Sequence, residues 1–287
     1  MAVPDEGFLH SADGVPLFYR EWPVANARGA VLIAHGLGEH SGRYGELAGL
    51  FNSIGLSVRA QDHRGHGRSG GARGSIARPD DFLQDLHQHF THFSATHKTV
   101  PFLFGHSMGG LIAARFATGG FAVVRGVMLS SPALAIRLSA FQRFLLAMGS
   151  ALAPGFAISS GLPAGGVSRD PDVLQGYGND LLNHNKVAPR VVRFMLDAIT
   201  QCMRDAPTFT APLLLQFAGD DLLVDAAGSE LFYEKLPTAH KNRVRYNDAY
   251  HEIFNEVAPL RRQVHSDVTK WLERQLNQAH SEGAVPG

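Results

Sequence analysis

Phe102-Leu103-Phe104-Gly105-His106-Ser107-Met108-Gly109-Gly110-Leu111 carries the pattern from which the chain's architecture follows. It starts as a short apolar run of strand character, passes through a G-x-S-x-G turn, and opens a helix rich in small residues. Gly105 and Gly109 lack side chains, so a strained turn can bring strand and helix together and expose Ser107 at the carboxyl edge of a sheet. A chance glycine-rich turn could carry the same five letters. The strand before, the helix after and the ordered partners downstream give them meaning.

Outward from this turn, short apolar runs bounded by turn residues recur at 30–34, 56–60, 102–104, 127–129, 213–217 and 244–246. Continuous apolar runs separated by helical-looking segments read as buried parallel strands in a β-α alternation. Residues 8–10 and 17–22 flank Asp13-Gly14, a turn signal for an N-terminal antiparallel hairpin, so a mixed sheet is expected. Phe82, Leu86, Phe90 and Phe93 share one helical face, as do Val264, Val268, Trp271 or Leu272, and Leu276. These predict helices that cover the sheet. Between about residues 132 and 212 the rhythm stops. That interval holds a helix at 139–153, with no charged residue between Arg143 and Arg169, and a second helix near 191–203, with no convincing strand. We read one domain over 1–287 with a helical insertion at 133–210, and a frayed tail at 281–287.

The chain has 287 residues and is 45% hydrophobic, ample for a packed core. Lys plus Arg equals Asp plus Glu at 26 each, so no net field draws it to nucleic acid or an acidic membrane surface. No nucleic-acid partner is expected. Cys202 is the only cysteine, so no intramolecular disulfide can form, and it reads as a core filler. The first ten residues carry Pro4, Asp5 and Glu6 and lack both parts of a secretory signal, which points to the cytoplasm. The 139–153 helix, which has no charge after Arg143, is about 22 Å long, short of the ~30 Å hydrocarbon core, and Pro154 and Gly155 break it.

A serine hydroxyl is a weak nucleophile at neutral pH, so it needs a base within reach and a third group to fix that base's tautomer. The acids Asp220, Asp221 and Asp225 lie just beyond the 213–217 strand, and His251 lies between the last strand and the final helix. Spacing favours Asp221; Asp220 and Asp225 read alternatively as turn or helix-capping residues. Acyl transfer also needs donors aimed at the developing oxyanion. The backbone N–H of Met108 is one, and the loop His35-Gly36-Leu37-Gly38 supplies the other, assigned to Leu37.

Two further motifs compete. Gly65-His66-Gly67-Arg68-Ser69-Gly70 matches G-x-G-x-x-G, but a dinucleotide site needs a helix to begin inside it, and Gly71, Gly74 and Pro79 prevent that. His251-Glu252-Ile253-Phe254-Asn255 starts like the zinc-protease motif, yet Asn255 stands where the second histidine is required. His89 shares a helical face with Phe93 while His87, His92 and His97 point elsewhere, so the four read as a solvated helix face rather than a metal site. Neither cofactor nor metal is expected.

With these residues in view, the sequence resembles the monoacylglycerol lipase family, including its lysophospholipase-like bacterial members. The likeness rests on residues 34–44 (AHGLGEHSGRY), 62–69 (DHRGHGRS), 105–110 (GHSMGG) and Tyr250-His251, and spans about 7–276. It implies an α/β-hydrolase fold with an eight-stranded, mostly parallel sheet, helices on both faces and a helical cap. It also implies hydrolysis of one fatty acyl ester of a glycerol-type lipid. Ser107, Asp221 and His251 fall on the family's triad, and Leu37 and Met108 on its oxyanion hole. Glu39 and Arg43 match a loop near the polar end of the pocket in relatives; a surface ion pair is the alternative. Phe254 departs from relatives that carry a polar residue there. In the cap, Phe144, Leu145 and Met148 are candidate acyl contacts; their helix could instead touch a lipid surface or pack as core.

Overall fold

The computed structural model describes residues 3–283 except Thr238, with backbone only for 164 and 279–283. Ten strands run in chain order: β1 (Asp5–His10), β2 (Pro16–Trp22), β3 (Gly29–Ala34), β4 (Leu56–Gln61), β5 (Phe102–His106), β6 (Val127–Ser130), β7 (Ile158–Ser159), β8 (Lys186–Val187), β9 (Leu213–Ala218) and β10 (Lys241–Tyr246). The helices are α1 (Gly45–Ser53), α2 (Asp81–His97), α3 (Met108–Thr118), α4 (Ala140–Leu152), α5 (Pro171–Asn179), α6 (Pro189–Asp205), α7 (Ala226–Lys235) and α8 (Ala258–Gly283).

Eight strands form one sheet in the order β1-β2-β4-β3-β5-β6-β9-β10. Only the β1–β2 and β2–β4 pairings are antiparallel. The apolar runs are continuous because helices cover both faces, and the period of two sorts their side chains into two cores. Leu32, Leu103, Leu129 and Leu215 meet α2, α3 and α7 on one face. Ile33, Phe104, Met128 and Leu214 meet α1 and α8 on the other. From β3 the chain goes to β4 on one side and then to β5 on the other, so the strand order reverses between β3 and β5. That switch point opens a crevice at the carboxyl ends of those two strands, where open α/β sheets bind ligands.

Between β6 and β9 the alternation gives way to α4, α5 and α6. It also holds a two-residue antiparallel pair, β7 with β8, in an interval whose sequence shows no convincing strand. Val191, Phe194, Met195, Ala198 and Cys202 make one stripe of α6 and bury it mainly against α3. Helix α4 is different: Ser139 and Gln142 close a capping box at its start, yet none of its residues is buried. Among the described residues no helix is long and apolar enough to cross a membrane.

One expectation about α2 is corrected. His89 is not on a solvated face; it is fully buried, with its ring edge-on to Tyr19 at 6.0 Å, because it shares the inward stripe with Phe93. Burial pushes its imidazole well below the usual range. Residues 284–287 of the expected tail lie outside the described residues, and α8 continues to Gly283.

Candidate active site

Ser107 occupies the turn between β5 and α3 with φ 54° and ψ −120°, a conformation costly for a residue with a side chain. Neighbouring backbone holds it there: Ser107 N–H donates to Ser130 O at 3.0 Å, and Ser107 O accepts from Leu111 and Ala133, both at 3.0 Å. The glycines make the turn possible. A Cβ on Gly109 would collide with the carbonyl oxygens of Ala34 and His35, and one on Gly105 with the carbonyl of Gly109. The Ser107 hydroxyl has no hydrogen-bond partner among the described residues, and such contacts commonly tighten only around substrate.

Across the crevice, His251 Nδ1 lies 2.7 Å from Asp221 Oδ2, both side chains nearly buried. A carboxylate there requires the proton on Nδ1, which leaves Nε2 as an acceptor, the tautomer a general base needs. The other Asp221 oxygen accepts backbone N–H groups from Leu223 at 2.8 Å and Val224 at 3.0 Å. Burial alone would raise this carboxyl; the facing His251 and these donors hold it below its ordinary value. The rival acids serve elsewhere: Asp220 pairs with Arg169, and Asp225 caps α7 through Ala227 N–H and pairs with Arg137. His106 lies beside His251 with ring centroids 4.8 Å apart. Burial, reinforced by His251, pushes His106 down to about 4, so it faces the site as a neutral ring.

The loop after β3 is braced from two sides. His35 Nδ1 donates to Gly36 O at 2.7 Å, while its Nε2 accepts the N–H of His63 at 2.9 Å, which fixes a neutral tautomer. In a trans peptide the N–H points opposite the C=O. Holding the Gly36 carbonyl toward His35 therefore turns the Leu37 N–H the other way. A Cβ on Gly36 would come within 2.8 Å of Glu39 Oε1 and 3.2 Å of the Ser107 Cβ, so this loop lies tight against the serine. Leu37 and Met108 both line the crevice, and neither backbone N–H donates within the described residues.

These groups face a cavity of about 520 Å³. Its apolar wall includes Leu37, Met108, Ile136, Leu138, Val192 and Met195, while Glu39, Tyr177, Asp180, Asn183 and His184 give polar character elsewhere. A serine in a strained elbow, an imidazole–carboxylate pair and two undirected N–H groups on one amphipathic cavity are the parts of acyl-transfer chemistry. The family model for serine aminopeptidase, S33, matches residues 25–258.

The chain belongs to that family.

Within it, the chain is 35% identical over 269 residues to a monoacylglycerol lipase of Mycolicibacterium smegmatis, covering 92% of this chain and 95% of the relative. It is 31% identical to the phospholipase YtpA of Bacillus subtilis, over 82% of this chain and 92% of the relative. Among solved structures, the monoacylglycerol lipase of Paleococcus ferrophilus superposes with a TM-score of 0.82 at 32% identity, covering 90% of this chain and 99% of that one. The chain is an ester hydrolase of the lipase and esterase type, on the α/β-hydrolase fold.

In this S33-family member Glu39 and Arg43 do form an ion pair, but a buried one that also engages Glu252. Glu39 reaches the cavity wall and Arg43 does not. Phe144, Leu145 and Met148 stand outside the cavity lining and are 60%, 46% and 45% exposed. The inner wall of the insertion comes instead from Ile136, Leu138, Val192 and Met195. Sequence reasoning missed Glu252 and His35. Glu252 was visible next to His251 but was weighed only as part of a zinc motif, and His35 only as a loop residue.

Proposed function

We propose that this protein is a serine carboxylester hydrolase that removes one fatty acyl chain from a monoacylglycerol through an acyl-enzyme on Ser107. The observation that carries the reading is the His251–Asp221 pair facing the same amphipathic cavity as the strained Ser107. Ser107 Oγ attacks the ester carbonyl as His251 Nε2 takes its proton. The tetrahedral oxyanion accepts from the N–H groups of Leu37 and Met108. Collapse breaks the ester bond, and His251 returns the proton to the leaving glycerol oxygen. Water, deprotonated by the same imidazole, then releases the fatty acid and restores the serine. The apolar wall takes the acyl chain and the polar residues face the head group, with residues 133–210 acting as the cap.

The exposed apolar side chains of α4, with Phe141 at 68% and Leu152 at 76% exposure, support contact with a lipid surface from which substrate enters. A second reading, cleavage of a lysophospholipid, is favoured by the phospholipase relative and by Arg137 on the cavity wall, whose Nε pairs with Asp225 while its side chain stays largely exposed. Initial rates of wild type and Ser107→Ala on graded monoacylglycerols, a lysophospholipid and a short aryl ester test both. Preference for monoacylglycerols, lost in the variant, is the expected result. Turnover of only the lysophospholipid or the aryl ester would reject the named substrate, and serine-independent turnover would reject the mechanism.

A further inference from the structure

Arg43 stands between two loops that the proposed reaction needs at a fixed separation. On one side its Nη1 donates to Glu39 Oε2 at 2.7 Å. The other oxygen of Glu39 accepts the backbone N–H of Gly36 at 2.5 Å and the hydroxyl of Tyr44 at 2.8 Å. Gly36 immediately precedes Leu37, so this carboxylate orients the loop that carries an oxyanion donor. On the other side Arg43 grips Glu252 with both Nη atoms, each at 2.7 Å. Glu252 directly follows His251, its own N–H donates to Val167 O at 2.7 Å, and its Oε2 also accepts from Asn255 at 2.9 Å.

The network is closed. Both oxygens of each carboxylate are engaged, both Nη atoms of Arg43 are used, and the Tyr177 ring covers the guanidinium face at 4.7 Å. Arg43 is absent from the lining of the large cavity, borders a second one of only about 30 Å³, about the space of one water, and has a side chain 12% exposed. A guanidinium so enclosed has little left to offer a ligand. Its fork geometry is what joins two carboxylates at once, which a lysine ammonium on a flexible stem cannot reproduce.

We propose that Arg43 is a positioning residue: by bridging Glu39 and Glu252 it sets the distance between the oxyanion-hole loop and His251, and it does not recognise the alcohol head group. The proposal rests on the reading of Ser107, Asp221 and His251 as the reacting groups. The transition state needs oxyanion donor and base in register together, whereas ground-state binding of the ester needs neither. Loosening the brace therefore lowers kcat without weakening substrate binding, and by the same factor whatever alcohol the ester carries.

The test compares wild type, Arg43→Lys and Ser107→Ala on a monoacylglycerol and on a p-nitrophenyl ester, which has no glycerol. For Arg43→Lys the expected result is a loss in kcat of about tenfold or more on both esters, with KM within about threefold. Labelling of Ser107 by a fluorophosphonate slows by a similar factor. A loss confined to the monoacylglycerol and expressed in KM would overturn the proposal in favour of head-group contact. Unchanged kcat on both would overturn it outright. Turnover retained by Ser107→Ala would instead sink the underlying mechanism. Should Arg43→Lys not fold, Glu252→Gln, which keeps the shape of the side chain, replaces it under the same criteria. The triple variant Arg43→Met, Glu39→Gln, Glu252→Gln removes all three charges together and strands none. It is expected to fold and still show the equal loss on both esters; full activity in it would overturn the brace.

Discussion

Replacing Asp221 by asparagine changes one oxygen to an amide nitrogen, and the surroundings decide which way that amide points. Oδ1 of Asp221 faces two backbone N–H donors, from Leu223 and Val224. An NH2 group cannot accept from them, so the amide oxygen must stay there and the NH2 must face His251 Nδ1. The imidazole then has to place its proton on Nε2 and can no longer take one from Ser107. The charge-assisted bond at 2.7 Å is lost as well. Where a triad loses its acid in this way, kcat drops by roughly a thousand- to ten-thousandfold, or about 4 to 5.5 kcal/mol in the barrier. Steady-state hydrolysis of a p-nitrophenyl ester reads the loss directly, with the melting temperature confirming that the isosteric variant is folded. Asp220→Asn and Asp225→Asn should stay within about threefold of wild type, since one loses an exposed pair and asparagine caps as well as aspartate. A kcat for Asp221→Asn above about a tenth of wild type, or an equal loss in either control, would refute the tautomer argument.

Three further outcomes follow from the same geometry. Gly109→Ala drives a methyl into the backbone of β3 and should cost roughly 1 to 3 kcal/mol or more, read from urea unfolding; an unchanged midpoint would mean that helix and strand are not in contact. Burial holds His35, His63, His66, His89 and His106 below the usual value of 6.5, with His63 and His106 at about 4. Because their folded pKa values are depressed, the unfolded chain binds more protons between about 4 and 6.5. The stabilisation is full above about 6.5 and is lost as pH falls, reaching its end near 4 for His63 and His106, by up to ~1.4 kcal/mol per unit for each group. The urea midpoint should therefore fall between pH 7 and pH 5, and a flat profile would contradict the neutral histidines. Finally, Phe144→Glu with Leu145→Glu places charge on the outer face of α4. Turnover of vesicle-borne substrate should drop while a soluble ester is unaffected; equal turnover on vesicles would remove the lipid-surface role.

The fold was legible because its central strands are buried on both faces, which writes them as apolar runs, and because Gly105 and Gly109 mark a turn tight enough to expel side chains. The edge strand β10 was legible only at Val244–Tyr246, since Lys241, Asn242 and Arg243 interrupt its apolar character at the rim of the sheet. The pair β7–β8 is too short to leave a periodic signal. Helix α4 shows where prediction by pattern stops: an amphipathic stripe announces that a face exists but not what it meets. So Phe144 and Met148 read as cavity wall, while Leu138 and Ile136, in the irregular stretch before the helix, line it. His89 was misplaced because a histidine on a helix reads as polar, although its register put it with Phe93. The link from Arg43 to Glu252 joins residues 209 positions apart and has no local signature.

In the proposed reaction Ser107 Oγ is the atom that carries the acyl group. Titrating the enzyme with a fluorophosphonate while following turnover, then mapping the adduct by peptide mass spectrometry, tests that claim most directly. One adduct per chain on the Ser107 peptide, accumulating in step with loss of ester hydrolysis and absent from Ser107→Ala, is the result expected. Hydrolysis that persists in fully labelled enzyme, or an adduct on another residue that tracks the loss, would contradict it.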